Sequence, residues 1–182
     1  MLLELVKSGG FWAVVGVILG FALGEGTRLI RYHFRISKLK RIILEELKSV
    51  QAQIPQKKDL VKKMIGALQE KKMLGGISVG IVSIGYRQHI GELYEHLGQR
   101  RRDCLHVIHD RLKNADDMLS SFENDFTSAV QDKVVNDPFA AYTGRLSDIL
   151  ENYNCVEKLI KSYLEEKPID VFYIEGGKFK KL

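Results

Sequence analysis

Only two cysteines, three prolines and one tryptophan are spread over 182 residues. Cys104 and Cys155 are isolated thiols without CxxC spacing, so no disulfide framework is implied and a reducing compartment accounts for them. Scarce proline together with 45% hydrophobic residues excludes a collagen-like, low-complexity or disordered chain. The phosphate-cradling loops are missing as well. There is no GxxxxGK(S/T) and no GxGxxG, and Gly75-Gly76 lacks the Lys-Ser/Thr that would follow it. Neither a GxSxG elbow nor an HExxH pair occurs, and no spacing groups the Ser, His and Asp residues. No motif supports an enzyme, and no cofactor is implied.

What the chain does have is an uncharged run from Ser8 to Gly24, 17 residues long, closed by Glu25. A helix of about 17 residues is at the short end of what spans a hydrocarbon core of ~30 Å. Leu2 to Val6 before it, and Leu29, Ile30 and Phe34 after it, extend the apolar stretch. Trp12 and Tyr32 fall where amphipathic rings favour the membrane interface, and Arg28 and Arg31 are placed to snorkel. Ala22-Leu23-Gly24 resembles a signal-peptide cleavage site, but Met1 to Lys7 holds Glu4 and one lysine, a poor positive n-region.

The charge lies on the far side of this run. Residues 28 to 63 carry eleven Lys/Arg against three acids, a net of +8, whereas Met64 to Leu182 carries sixteen against eighteen, a net of −2. Basic residues directly after an apolar segment resist translocation, which predicts a single-pass inner-membrane anchor with the N-terminus out and the C-terminus in the cytoplasm. Arg28, Arg31, Arg35, Lys38, Lys40 and Arg41 form a collar for anionic lipid. Because the net positive charge is confined to residues 28 to 63, a nucleic-acid groove is not expected. Gly16, Gly20 and Gly24 recur every fourth residue, a ridge that lets helix backbones approach closely in lipid, so a homo-oligomer is expected.

Beyond the anchor the apolar spacing is helical. Ile36, Leu39, Ile43, Leu47 and Val50 continue the anchor helix until Pro55 interrupts the run, and Leu60 to Leu68 marks a second helix. Tyr86 to Leu97 predicts a third, about Arg101 to Val130 a longer fourth, and Asp137-Pro138 opens a fifth that reaches Lys167-Pro168. The expected fold is all-α: one N-terminal transmembrane helix continuing into a cytosolic bundle of about five helices. Ile77 to Gly85 is ambiguous between strand, buried turn and membrane-surface segment, and Val171 to Ile174 is a short β-like run. The organisation reads as anchor 1–34, basic stalk 35–56, bundle 57–168 and tail 169–182.

Three groups of residues merit chemical attention. His89, Glu92 and His96 share a helical face, with His106 and His109 on the next helix, a set from which a metal site is conceivable and for which surface histidines are the plainer alternative. Arg100, Arg101 and Arg102 stand at a helix N-terminus, where cations are unfavourable and ask for an anionic ligand, lipid headgroup or acidic partner, although Asp103 offers local neutralisation. Lys57 and Lys58, after Pro55, read as lipid contacts. These features lead to one expectation and two alternatives. The first is a membrane effector whose bundle senses a ligand or partner and gates or perturbs the bilayer. The alternatives are a passive tethered adaptor and a membrane-tethered helical metalloenzyme.

Overall fold

Apolar positions at three- and four-residue steps build a chain in which 89% of the described residues are helical and none lies in a strand. The computed structural model describes residues 9–72, 80–81, 83–132 and 135–167. Four α-helices are present among them: α1 Gly9–Gln69, α2 Gly85–Leu93, α3 Gln99–Gln131 and α4 Pro138–Leu164, with a 3₁₀ turn Tyr94–His96 after α2. The count is four rather than five because Pro55 lies inside α1 and does not end it. An internal proline costs a helix about 3 kcal/mol. Buried residues on both sides, Leu47, Val50 and Ile54 before it and Val61 and Leu68 after it, are 0–3% exposed and offset that cost. Of the two β-like runs, Val171 to Ile174 and residues 77–79 and 82 of Ile77 to Gly85 lie outside the described residues, and Gly85 begins α2.

The chain divides into two units, Met1–Arg41 and Ile42–Leu182. The first is the apolar part of α1. Its most apolar 18 residues have a mean hydropathy of 1.6, and none is buried. Trp12, Val17, Ile18, Phe21, Leu23 and Phe34 are 61–73% exposed. This helix is long and apolar enough to cross a membrane.

The second unit is a helical bundle. Cys104, Leu105, Ile108, Leu112, Ala115 and Leu119 put one face of α3 into the core, and Leu146, Ile149, Tyr153, Val156 and Ile160 do the same for α4. Each fully buried Leu, Ile or Val contributes about 1.5–3 kcal/mol. Tyr153 bonds to Asp116 and Tyr142 to the Asp125 carbonyl, a pairing that sets α3 and α4 antiparallel. A cluster of Phe122, Phe126, Phe139 and Tyr142, with edge-to-face centroids 5.3–5.5 Å apart, closes one end. At the start of α4 the Asp137 carboxylate accepts from the Ala140 N–H at 3.1 Å, and Pro138 takes the first helical position. Cys104 is fully buried, whereas Cys155 is half-buried.

Candidate functional site

The site begins with a short helix that lacks a cap of its own. Ile84, at the N-cap of α2, has no side chain able to accept from the first-turn N–H groups. Glu46 of α1 supplies the acceptor from outside. Its carboxylate accepts from the N–H of Gly85, from the N–H of Tyr86 at 3.1 and 3.3 Å, and from the Ser83 hydroxyl at 3.2 Å. A negative charge at a helix N-terminus is also electrostatically favourable. The approach is close enough to require glycine. A Cβ on Gly85 would stand 2.7 Å from Glu46 Oε2 and 3.1 Å from Ile42 Cγ2.

His109 of α3, 8% exposed, completes this cluster. Its ring stacks on Tyr86 with centroids 3.8 Å apart and planes 8° from parallel. Nδ1 lies 2.6 Å from Ser83 Oγ, while Nε2 is buried without a hydrogen-bond partner, 3.7 Å from Glu46 Oε1. With Ser83 donating to Glu46, the neutral ring donates from Nδ1 to Ser83 Oγ. Burial pushes the imidazole down to about 4, and the positive charges of Arg87 and His106 act in the same direction. Tyr86 Oη meets His106 Nδ1 at 3.2 Å, and His106 Nε2 lies 3.3 Å from Asp110.

A second polar centre lies along α3. Asp116 accepts from Tyr153 Oη at 2.7 Å and from the Ile81 N–H at 2.6 Å, and lies 3.4 Å from Lys57 Nζ of α1. The side chains of this ion pair are 12% and 13% exposed. Burial, followed by the Asp116 carboxylate, raises the Tyr153 phenol far above its ordinary value, so it stays a donor. Together the two centres hold Ile81, Ser83, Gly85 and Tyr86 between α1 and α3.

Between them opens a cavity of about 640 Å³, lined by apolar Ile81, Ile90 and Leu112 and by Tyr86, Tyr94, Ser83 and His109. The geometry suits a bound small molecule better than covalent chemistry. The α2 N–H groups that would stabilise an oxyanion already bond Glu46, and a base held near 4 is weak at neutral pH.

The residues singled out from the sequence are distributed as follows. Around Gly16, Gly20 and Gly24 an added Cβ would meet nothing within 4 Å, so this ridge is uncovered. Trp12, Arg28, Arg31, Arg35, Lys38, Lys40 and Arg41 are all exposed, with Arg28 3.7 Å from Glu25. Arg100, Arg101 and Arg102 fall in the first turn of α3. Arg101 donates to Glu166 at 2.9 Å, and Arg102 donates to the Tyr94 carbonyl at 3.0 Å with its guanidinium 4.2 Å from that ring's centroid. His89 is half-buried with an unpartnered Nδ1, Glu92 is exposed and His96 is half-buried. Among the described residues no three His, Cys, Asp or Glu side chains gather as a metal site. Lys57 and Lys58 lie in the interior of α1. Lys57 is paired with Asp116, and Lys58 donates to Glu157 at 2.8 Å.

Glu46, Ser83, Tyr86 and Asp116 are the site residues that sequence reasoning missed. Glu46 and Asp116 carry a readable signal, since each is an acid set beside an apolar stripe, Ile43–Leu47–Val50 and Leu112–Ala115–Leu119. Ser83 and Tyr86 carry none. No family model, curated protein or solved structure matches the chain.

Proposed function

We propose that this chain is a single-pass membrane protein that self-associates through Gly16, Gly20 and Gly24. In this reading its bundle binds a ligand or partner and passes the bound state to the membrane helix, which gates or perturbs the bilayer. The bundle faces the cytoplasm. The observation that carries the reading is that one helix, α1, bears both the uncovered apolar stretch and the two side chains, Glu46 and Lys57, that hold the cavity's lining. A ligand that moves Ser83, Tyr86 or Asp116 therefore acts on α1 directly.

Three physical arguments support the membrane placement. Soluble monomers rarely leave a continuous apolar patch larger than a few hundred Å² uncovered. The basic collar supplies attraction to anionic lipid of about 1 kcal/mol for each cation near the surface. Positive charge on that flank retains it in the cytoplasm.

The test combines extraction, mass and leakage. Wild-type protein should resist urea and carbonate extraction from membranes and run as a defined oligomer in detergent. Gly16→Leu/Gly20→Leu should stay membrane-bound but fall to monomer. Reconstituted wild type should alter dye leakage from phosphatidylethanolamine/phosphatidylglycerol vesicles, and the double variant should not. Extraction by carbonate would overturn the membrane reading. An oligomer without any leakage would leave a passive tether.

A further inference from the structure

The cavity's size and lining indicate what it takes. A volume of about 640 Å³ falls in the range of small-molecule sites. Ile81, Ile90 and Leu112 make its walls apolar, and the rings of Tyr86 and Tyr94 add flat surface. Gly91 also lines it, in the interior of α2, where glycine is a poor choice for a helix. No atom lies within 4 Å of where its Cβ would stand, so close packing does not demand glycine there. What the missing side chain leaves is open space at the cavity wall.

Two ion pairs flank the cavity, Lys113 with Asp117 and Lys57 with Asp116. Arg87 lines the same cavity, is exposed, and forms no ion pair or hydrogen bond among the described residues. A guanidinium fork fits a carboxylate with two parallel hydrogen bonds. Three aspartates at the cavity, Asp110, Asp116 and Asp117, disfavour a dianion such as a phosphate monoester. An amine would meet the charge of Arg87, and a neutral ligand would leave its fork unmatched.

We infer that the cavity binds a small aromatic carboxylate, with its ring against Tyr86 and its carboxylate on Arg87. This inference rests on the reading of the bundle as a ligand sensor. Ser83 and the stacked His109 lie behind Tyr86 and connect it to Glu46 of α1. Occupancy of the cavity is thus coupled to the helix that carries the apolar stretch.

The experiment titrates full-length protein in detergent with 2-naphthoate, 2-naphthamide and 2-naphthylmethylamine by calorimetry, against protein-free micelles. Naphthoate should bind at least tenfold more tightly than the amide or the amine. Arg87→Gln, at an exposed position, should erase that preference. Gly91→Phe should abolish binding without lowering the melting temperature. Equal affinity for the amide or amine, undiminished binding by Gly91→Phe, or no binding of naphthoate to wild type would each overturn the inference. Leakage from phosphatidylethanolamine/phosphatidylglycerol vesicles separates it from the functional reading. Naphthoate binding without any change in leakage upholds the ligand class and removes the coupling to the membrane. A protein that inserts and leaks yet binds no naphthoate keeps the membrane reading and removes the ligand class.

Discussion

The Glu46 carboxylate accepts from the backbone N–H of Tyr86 at 3.1 Å through Oε1 and at 3.3 Å through Oε2, across forty residues of sequence. One helix thereby caps another. The α2 helix has only nine residues, too short to be stable by propensity alone, so its position depends on this carboxylate and on burial of Leu93.

Replacing Glu46 with Ala should therefore lower stability by about 1–3 kcal/mol, combining a lost cap with buried donors left unpaired. Glu46→Gln keeps one acceptor oxygen and should cost less. Chemical denaturation in mild detergent measures the difference, and amide exchange over residues 85–93 should accelerate in the Ala variant first. Wild-type stability in Glu46→Ala would mean that the cap is dispensable.

The Lys57–Asp116–Tyr153 group gives a different signature. Asp116→Ala removes one partner of a nearly buried ammonium, and breaking a buried pair costs up to about 3–5 kcal/mol. Adding Lys57→Met removes the ammonium itself and should recover part of the loss. Tyr153→Phe deletes one hydrogen bond to a charged acceptor and should cost about 1.5–3 kcal/mol. A double variant less stable than Asp116→Ala alone would show that the lysine stabilises the bundle by another route.

How much of this was legible in the sequence depends on how far each residue's partner lies along the chain. Asp137 and Pro138 cap a helix three residues away, and the α3 stripe from Leu105 to Phe126 repeats within one helix, so both are local patterns. Pro55 is also a local signal, but packing of Leu47, Val50, Ile54, Val61 and Leu68 on the bundle outweighs it. Asp116 and Glu46 find their partners 35 or more residues away, where no periodicity reaches. His106 and His109 stand out as a pair in the sequence, but their contacts are Tyr86, Asp110 and Ser83. The His106–Asp110 contact is an i,i+4 pair that helical spacing does give, whereas the contacts with Tyr86 and Ser83 come from the tertiary fold, which it does not specify.

The two thiols should differ in reactivity. Burial, with a smaller contribution from Cys155, pushes the Cys104 thiol up to about 12, so almost no thiolate is present at neutral pH. Cys104 is also fully buried, whereas Cys155 is half-buried. Iodoacetamide should label Cys155 in the native protein and reach Cys104 only on unfolding, as peptide mass mapping would report. Equal labelling of both would contradict the packing of α3 in the core.

The pH dependence of stability should isolate His109. Its folded-state value, about 4, lies below the ordinary 6.5. Above 6.5 the ring is neutral in both states and its contribution to stability is fully present. As pH falls from 6.5 toward 4 the unfolded chain binds a proton that the native chain refuses, so stability falls by up to about 3 kcal/mol. The groups facing the ring act in opposing directions. Arg87 and His106 resist its protonation, while Glu46 near Nε2 favours it but already accepts from Ser83, Gly85 and Tyr86. His109→Gln retains a polar group beside Ser83 and has nothing to titrate in this range. The stability difference between wild type and His109→Gln should therefore shrink between pH 7 and pH 4.5, measured by denaturation in the same detergent. Parallel pH profiles for the two proteins would mean that His109 takes up its proton over the same pH range folded and unfolded, so that the fold does not hold the ring neutral.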